Sequence, residues 1–205
     1  MRTKTLLVAA LLAILAVPAF AQAPQGGPPQ GTPTNIRGKV VKLDGNNLSV
    51  KTREGPTVMV ALAPNAEVRS LVKKKLSDIK AGDYVASTSL PGKDGKLHAV
   101  EVHYIPPRAP ELQIPYDYKP GSVMTNAHVT GMVAGKTGST IQMTYKGTPA
   151  EIVVDKKTKI VTTADAALPD LKPGKAVFLR AVKAADGTIS ANNATVEKNG
   201  IKPPM

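Results

Sequence analysis

The chain has 205 residues, 27 Lys and Arg against 15 Asp and Glu for a formal charge of +12, and no cysteine. That length suits one or two domains. The missing thiols exclude disulfides, zinc–thiolate sites and cysteine nucleophiles, and the positive excess favours anionic partners at low salt.

Residues 1–23 read as a secretory signal peptide. Arg2 and Lys4 precede an apolar run from Leu6 to Val17, and Ala19-Phe20-Ala21 or Ala21-Gln22-Ala23 offers a small-x-small cleavage site. The run is shorter than the ~20 apolar residues a membrane span requires, and no later stretch approaches that length. The expected product is therefore exported to the periplasm or the exterior with no transmembrane segment, carrying 25 basic against 15 acidic residues. Residues 24–34, "PQGGPPQGTPT", offer no apolar face and read as a disordered tether.

From Ile36 the pattern becomes short apolar alternations punctuated by Gly, Asp and Asn, which predicts strands joined by tight turns. "IRGKVVKL" and "NLSVKTR" flank the hairpin signal Asp44-Gly45-Asn46; "PTVMVAL" and "DYVASTSL" follow as third and fourth strands, and "KLHAVEVHY" is a fifth after Asp94-Gly95. The same order returns downstream. Gly38 matches Gly131 and Pro56 matches Pro149 at a spacing of 93, whereas Asp78 matches Asp170, Gly82 matches Gly174 and Asp94-Gly95 matches Asp186-Gly187 at 92. A period this long makes each copy a domain, not a solenoid unit. The repeated phrases "LSDIKAG" and "LPDLKPG" put two apolar residues three apart beside an Asp and then a Gly, which predicts a short helical turn and a sharp corner.

The expected fold is all-β: two tandem five-stranded barrels of the oligonucleotide/oligosaccharide-binding type, at 35–105 and 123–198, with a C-terminal tail at 199–205. Between them 106–122, "PPRAPELQIPYDYKPGS", reads as a proline-rich linker, either an extended spacer or a segment packed on one barrel through Tyr116 and Tyr118. Apolar-x-Gly-x-Val, the Gly-rich hairpin, Leu-x-Asp-Ile/Leu-Lys-x-Gly and the final Asp-Gly-x-Leu/Ile-x-Ala resemble an uncharacterised bacterial family of secreted small β-barrel domains of unknown function. The resemblance covers about residues 36–104 and 128–197. It implies a fold and an exported location and carries over no catalytic residue.

Reactive chemistry is sparse. "GMVAGKT", Gly131 to Thr137, has three residues between its glycines where a phosphate loop needs four, and a strand-like segment follows where that loop needs a helix. The repeated Asp78 and Asp170 have no partnered base or nucleophile beside them, and no Gly-x-Ser-x-Gly elbow occurs. His98, Glu101 and His103 in the fifth strand are the metal candidates. Strict alternation sets Glu101 and His103 on one face and His98 on the other, and His128 lies in the other copy. Lys73, Lys74 and Lys75 form the densest basic run, either a solvated face or an anion-binding patch. Aromatic residues are too few for a platform that stacks single-stranded nucleic acid. These readings give no catalytic residue and no cofactor. They point to an exported non-enzymatic binding or envelope-associated structural protein of unknown ligand, its partner a protein or an anionic polymer, with electrostatic binding of anionic envelope polymers or nucleic acid as one alternative and periplasmic metal handling as another.

Overall fold

The structure, a computed structural model, describes residues 31–135 and 138–203. The signal-peptide reading of 1–23 lies outside those residues, as do Lys136 and Thr137 of the near-phosphate-loop string. The strands are β1 (Thr32–Asp44), β2 (Asn47–Thr52), β3 (Thr57–Lys73), β4 (Tyr84–Pro91), β5 (Leu97–Tyr104), β6 (Leu112–Pro115), β7 (Val123–Ala134), β8 (Ser139–Tyr145), β9 (Thr148–Val154), β10 (Lys159–Asp165), β11 (Ala176–Lys183) and β12 (Ile189–Val196). Short 3-10 turns at Leu76–Asp78 and Leu168–Asp170 precede β4 and β11. The fold is all-β, as the alternation predicts, and no helix among the described residues is long and apolar enough to cross a membrane.

Of the tether expected at 24–34, residues 24–30 lie outside the described residues and the rest is corrected. Thr32 to Thr34 already belong to β1, paired rung by rung with Lys183 to Ala181 of β11. Pro33 fits there because only β11 flanks this end of β1, whose pairing with β2 starts at Gly38, and an open edge tolerates a missing N–H.

The pairings overturn the assignment of one barrel to each half. β1 pairs β2 and β2 pairs β3, but the barrel is closed by β11 and β12 from the far end of the chain: β12 lies parallel to β3 and β11 antiparallel to β1. Their counterparts β4 and β5 pair instead with β7 and β9, so that β4, β5, β9, β8 and β7 form a second ring whose β5–β9 seam has two rungs, Leu97–Ile152 and His98–Val153. Each ring therefore takes its first three strands from one half and its last two from the other. Closure removes sheet edges in either arrangement, so local pattern is indifferent to which half supplies the closing strands.

What carries the chain across is β3. The sequence predicts a strand ending at Leu62, but β3 continues to Lys73, and its distal part pairs antiparallel with β10. Leu71 there faces Thr163, its own counterpart 92 residues on. The registers repeat about that point: Ser190 opposite Ala61 matches His98 opposite Val153, and Asn193 opposite Glu67 matches Glu101 opposite Lys159.

The registers also correct two sequence equivalences. Val40 accepts the Gly174 N–H at 2.8 Å, and Val129 accepts that of Gly82 at 2.8 Å, so β1 corresponds to β7 at a spacing of 89. Gly38 thus matches Ala127, not Gly131, and Pro149 matches Thr57, not Pro56, because Val50 opposite Val58 corresponds to Met143 opposite Ala150. The β7–β8 hairpin is four residues longer than β1–β2, which restores the spacing downstream.

Two cores follow. One gathers Val40, Leu48, Val50 and Val60 from the first half with Leu171, Val177, Leu179 and Val196 from the second. The other gathers Ile141, Met143, Ile152 and Val154 with Ile79, Val85 and Val102. The repeated phrase is the corner piece its sequence predicts: the Asp78 and Asp170 carboxylates accept the N–H groups of Lys75 and Ala167, at 2.9 and 3.0 Å, while Ile79 and Leu171 enter the cores. Gly82 and Gly174 have φ of 92° and 83°, a left-handed turn that a side chain resists.

Candidate functional site

The linker is not a spacer. Residues 106–122 form a strap bonded to both rings. Its first half is tied to the second ring: Tyr84 Oη donates to Ala109 O at 2.7 Å, Asn126 Nδ2 donates to Pro110 O at 3.0 Å, and β6 pairs with β7 from Asn126 to Val123. Its second half is tied to the first barrel. Arg37 donates to Asp117 at 2.8 Å, Asn35 donates to both Asp117 oxygens at 3.1 Å, and the Arg53 guanidinium reaches the Tyr118 and Asp117 carbonyls at 2.7 and 2.5 Å.

Arg37 is the anchor. Its side chain is 1 % exposed and lies between the rings of Tyr116 and Phe178, whose centroids are 5.2 and 4.8 Å from the guanidinium carbon. Burial of a cation is costly unless it is paired, and here one carboxylate and two aromatic faces supply the compensation. Burial tends to raise the Asp117 carboxyl, but hydrogen bonds from Arg37 and Asn35 and the Arg37 charge hold it below the ordinary range. Burial pushes the Tyr116 hydroxyl up, against the opposing pull of Arg37. Of the two linker readings, packing through the tyrosines is the one the geometry shows for Tyr116.

The strap creates two adjoining cavities with Tyr118 in the wall of both. The larger, about 720 Å³, is an open groove bounded by Arg53 and the turn from Pro115 to Val123. Ser122 shapes that turn, accepting from the Lys119 N–H at 2.8 Å and donating to the Lys119 carbonyl at 2.6 Å. The smaller, about 330 Å³, is floored by the outer face of β4, β5 and β10 through Thr88, Glu101 and Lys159, and roofed by Tyr118, Lys202 and Pro203. The tail residue Pro203 is buried there.

Glu101 is the polar centre of the smaller cavity. It is 4 % exposed; Oε1 lies 3.6 Å from His103 Nδ1, and Oε2 has no hydrogen-bond partner. The register shift between Thr88 and Ser89 leaves Val100 as an extra residue in β5, so the core-facing positions become Ala99 and Val102, three apart. Such a bulge redirects the side chains beside it. It also places His98 on the outer face with Glu101 and His103, contrary to the strict alternation the sequence suggests. The metal candidates still do not gather. His98 is held by Asp94 at 3.0 Å, His128 stacks on Tyr84 with its Nε2 3.6 Å from Glu111, and among the described residues no group of three His, Asp or Glu side chains could hold a metal.

Lys73, Lys74 and Lys75 are exposed at the end of β3. Lys73 sits opposite Val161, and the Lys74 N–H bonds Ile160 O at 2.8 Å, which sets the run beside Lys159. Asp78 and Asp170 serve their corners, and Asp170 additionally binds Lys198 at 3.0 Å.

The residues that sequence reasoning missed are Arg37, Arg53 and Asp117. Their signal was a lone arginine in an apolar strand and an acid between two tyrosines. Among the described residues, the four buried side-chain atoms that lack partners, Nε and Nη2 of Arg37, Oε2 of Glu101 and Oδ1 of Asn126, belong to residues covered by the strap or lining its cavities. No protein-family model matches this chain, and no curated protein or solved structure is detectably similar to it.

Proposed function

We propose that this protein is an exported, non-enzymatic binding or envelope-associated module in which a duplicated β-barrel scaffold presents a site built by its unrepeated strap. The order of strands in each ring, first-second-third-fifth-fourth, supports kinship with oligonucleotide/oligosaccharide-binding barrels and with the secreted β-barrel family that the motifs resemble. The registers recurring at 92 residues support descent from a duplication. The observation that carries the functional reading is the concentration of unsatisfied buried polar groups under one strap that also walls two cavities. Repeated residues serve corners and cores. Groups that leave hydrogen-bonding capacity unused are where a ligand gains most, because buried polar atoms without partners are costly.

The mature protein, immobilised and challenged with the solubilised envelope fraction of its own cell, should retain a component that the Tyr118→Ala variant releases. Equal retention by both proteins would refute the strap as the binding surface.

A second reading is electrostatic binding of an anionic envelope polymer through Lys73, Lys74 and Lys75, favoured by their convergence with Lys159 from the other half of the chain. Phosphate-type contacts weaken steeply with salt. Affinity for a polyanion such as polyphosphate should therefore fall by at least tenfold between low and physiological ionic strength; affinity unchanged by salt removes this reading.

A further inference from the structure

The smaller cavity has a charge arrangement that specifies a ligand class. Glu101 offers a desolvated carboxylate oxygen with no donor, while Lys159 and Lys202 line the same space and make no ion pair among the described residues. A lone cation entering would meet two ammonium groups, and a lone anion would meet the buried carboxylate. Only a molecule carrying both charges a few ångströms apart satisfies all three side chains. At about 330 Å³ the space holds roughly ten waters' volume, the scale of one or two amino-acid residues and at the lower end of ordinary ligand sites.

We propose that this cavity binds a small zwitterion, an amino acid or a very short peptide, with its ammonium on the Glu101 carboxylate and its carboxylate on Lys159 and Lys202. The site deepens the binding function proposed above and rests on it. Three parts of the chain build it. The Val100 bulge sets Glu101 on the outer face, the parallel register of β5 on β10 brings Lys159 level with it, and the strap and the tail add Tyr118 and Lys202. An arriving ammonium gives the buried carboxylate the charge-assisted hydrogen bond it lacks. Tyr118 supplies an apolar wall for the ligand's carbon skeleton.

The repeat furnishes an internal control. The residue equivalent to Glu101 in the first barrel is Asn193, opposite Glu67. Its amide is already bonded to Asn192 at 2.8 Å. A charged pair-forming pocket is thus a property of one ring only, which is what a binding site acquired after the halves diverged looks like.

The test is a titration of the isotope-labelled mature protein with glycine, alanine of either hand and alanyl-alanine, followed by backbone amide NMR, with acetate and methylammonium as probes bearing one charge each. At least one zwitterion should shift the amides of Val100 to Val102 and Lys202 saturably, and the single-charge probes should bind at least tenfold more weakly. Glu101→Gln should weaken binding tenfold or more. Lys202→Met, in an exposed tail position that cannot unfold the barrels, should weaken it several-fold, and Asn193→Asp should leave it unchanged. The proposal is overturned if no zwitterion produces a saturable shift, if acetate or methylammonium binds as tightly, or if Glu101→Gln and Lys202→Met bind as wild type. Failure here with retention of an envelope component in the capture experiment would remove the zwitterion and leave the strap as a docking surface.

Discussion

Cutting the chain in the strap separates an exchanged fold from a tandem one. A site-specific protease sequence inserted between Pro107 and Arg108, in an exposed turn, would divide the protein into fragments carrying β1 to β5 and β6 to β12, each with three strands of one ring and two of the other. In tandem barrels each half is complete, and the halves drift apart. In the exchanged arrangement Ile79, Val85 and Val102 of the first half are buried in the second ring, while Leu171, Val177, Leu179 and Val196 of the second half are buried in the first barrel. At about 1.5–3 kcal/mol for each fully buried side chain, these seven contribute about 10–20 kcal/mol across the cut. Separation also exposes the partner residues they cover. Loss of rigid-body freedom opposes association by about 4–15 kcal/mol, so the nicked protein should persist as a one-to-one complex at micromolar concentration. Size-exclusion chromatography with light scattering should give the mass of the intact chain in native buffer, and two pieces should appear only in denaturant. Two independently eluting, folded halves under native conditions would refute the exchange and the argument built on it.

Asp117→Ala leaves the buried Arg37 without its carboxylate and should cost about 1.5–3 kcal/mol, the range for a hydrogen bond to a charged group, read by urea denaturation. Because the folded Asp117 value lies below its unfolded one, near 3.9, its contribution is complete above about pH 4 and is lost as pH falls through the lower folded value. Strap amides should therefore begin rapid exchange only on strong acidification, and Asp117→Asn should remove that dependence; loosening as pH rises would contradict it. Gly82→Ala and Gly174→Ala force a side chain into the left-handed region and should each cost about 1–2 kcal/mol, with lost hydrogen-exchange protection at Val129 for the first and at Val40 for the second. Loss near the mutated residue's own half instead would break the assigned pairing. Leu179→Ala should cost about 2–5 kcal/mol and loosen β2 and β3, which lie far from it in sequence; an effect confined to β11 and β12 would argue against a shared core.

The chemistry of the strap was only partly legible. Tyr116 and Tyr118 marked a segment too apolar for a free linker, and Glu101 stood out as an acid between histidines. Their partners were not, because Arg37 and Arg53 lie some 65 to 80 residues away and nothing local distinguishes a guanidinium that meets a carbonyl from one that meets water. The bulge at Val100 was equally hidden. "LHAVEVHY" alternates cleanly, and the extra residue is revealed only by what the neighbouring strand can pair with.

The sequence by itself determined the features that arise within a dozen residues: the all-β character, the hairpin at Gly45, and the two corners in which Asp78 and Asp170 hold a 3-10 turn ahead of a positive-φ glycine. The tertiary structure alone decided which half closes which ring. Each half of the chain carries a similar pair of closing strands, β4 with β5 and β11 with β12, so hydrophobic pattern scores the tandem and exchanged folds alike. The difference lies in Glu67 to Lys73, a connection that becomes strand and extends roughly 20 Å at about 3.3 Å per residue; it passes from β12 to β10, with which Arg69 to Lys73 pair, and delivers the chain to the second ring before β4 can turn back to the first.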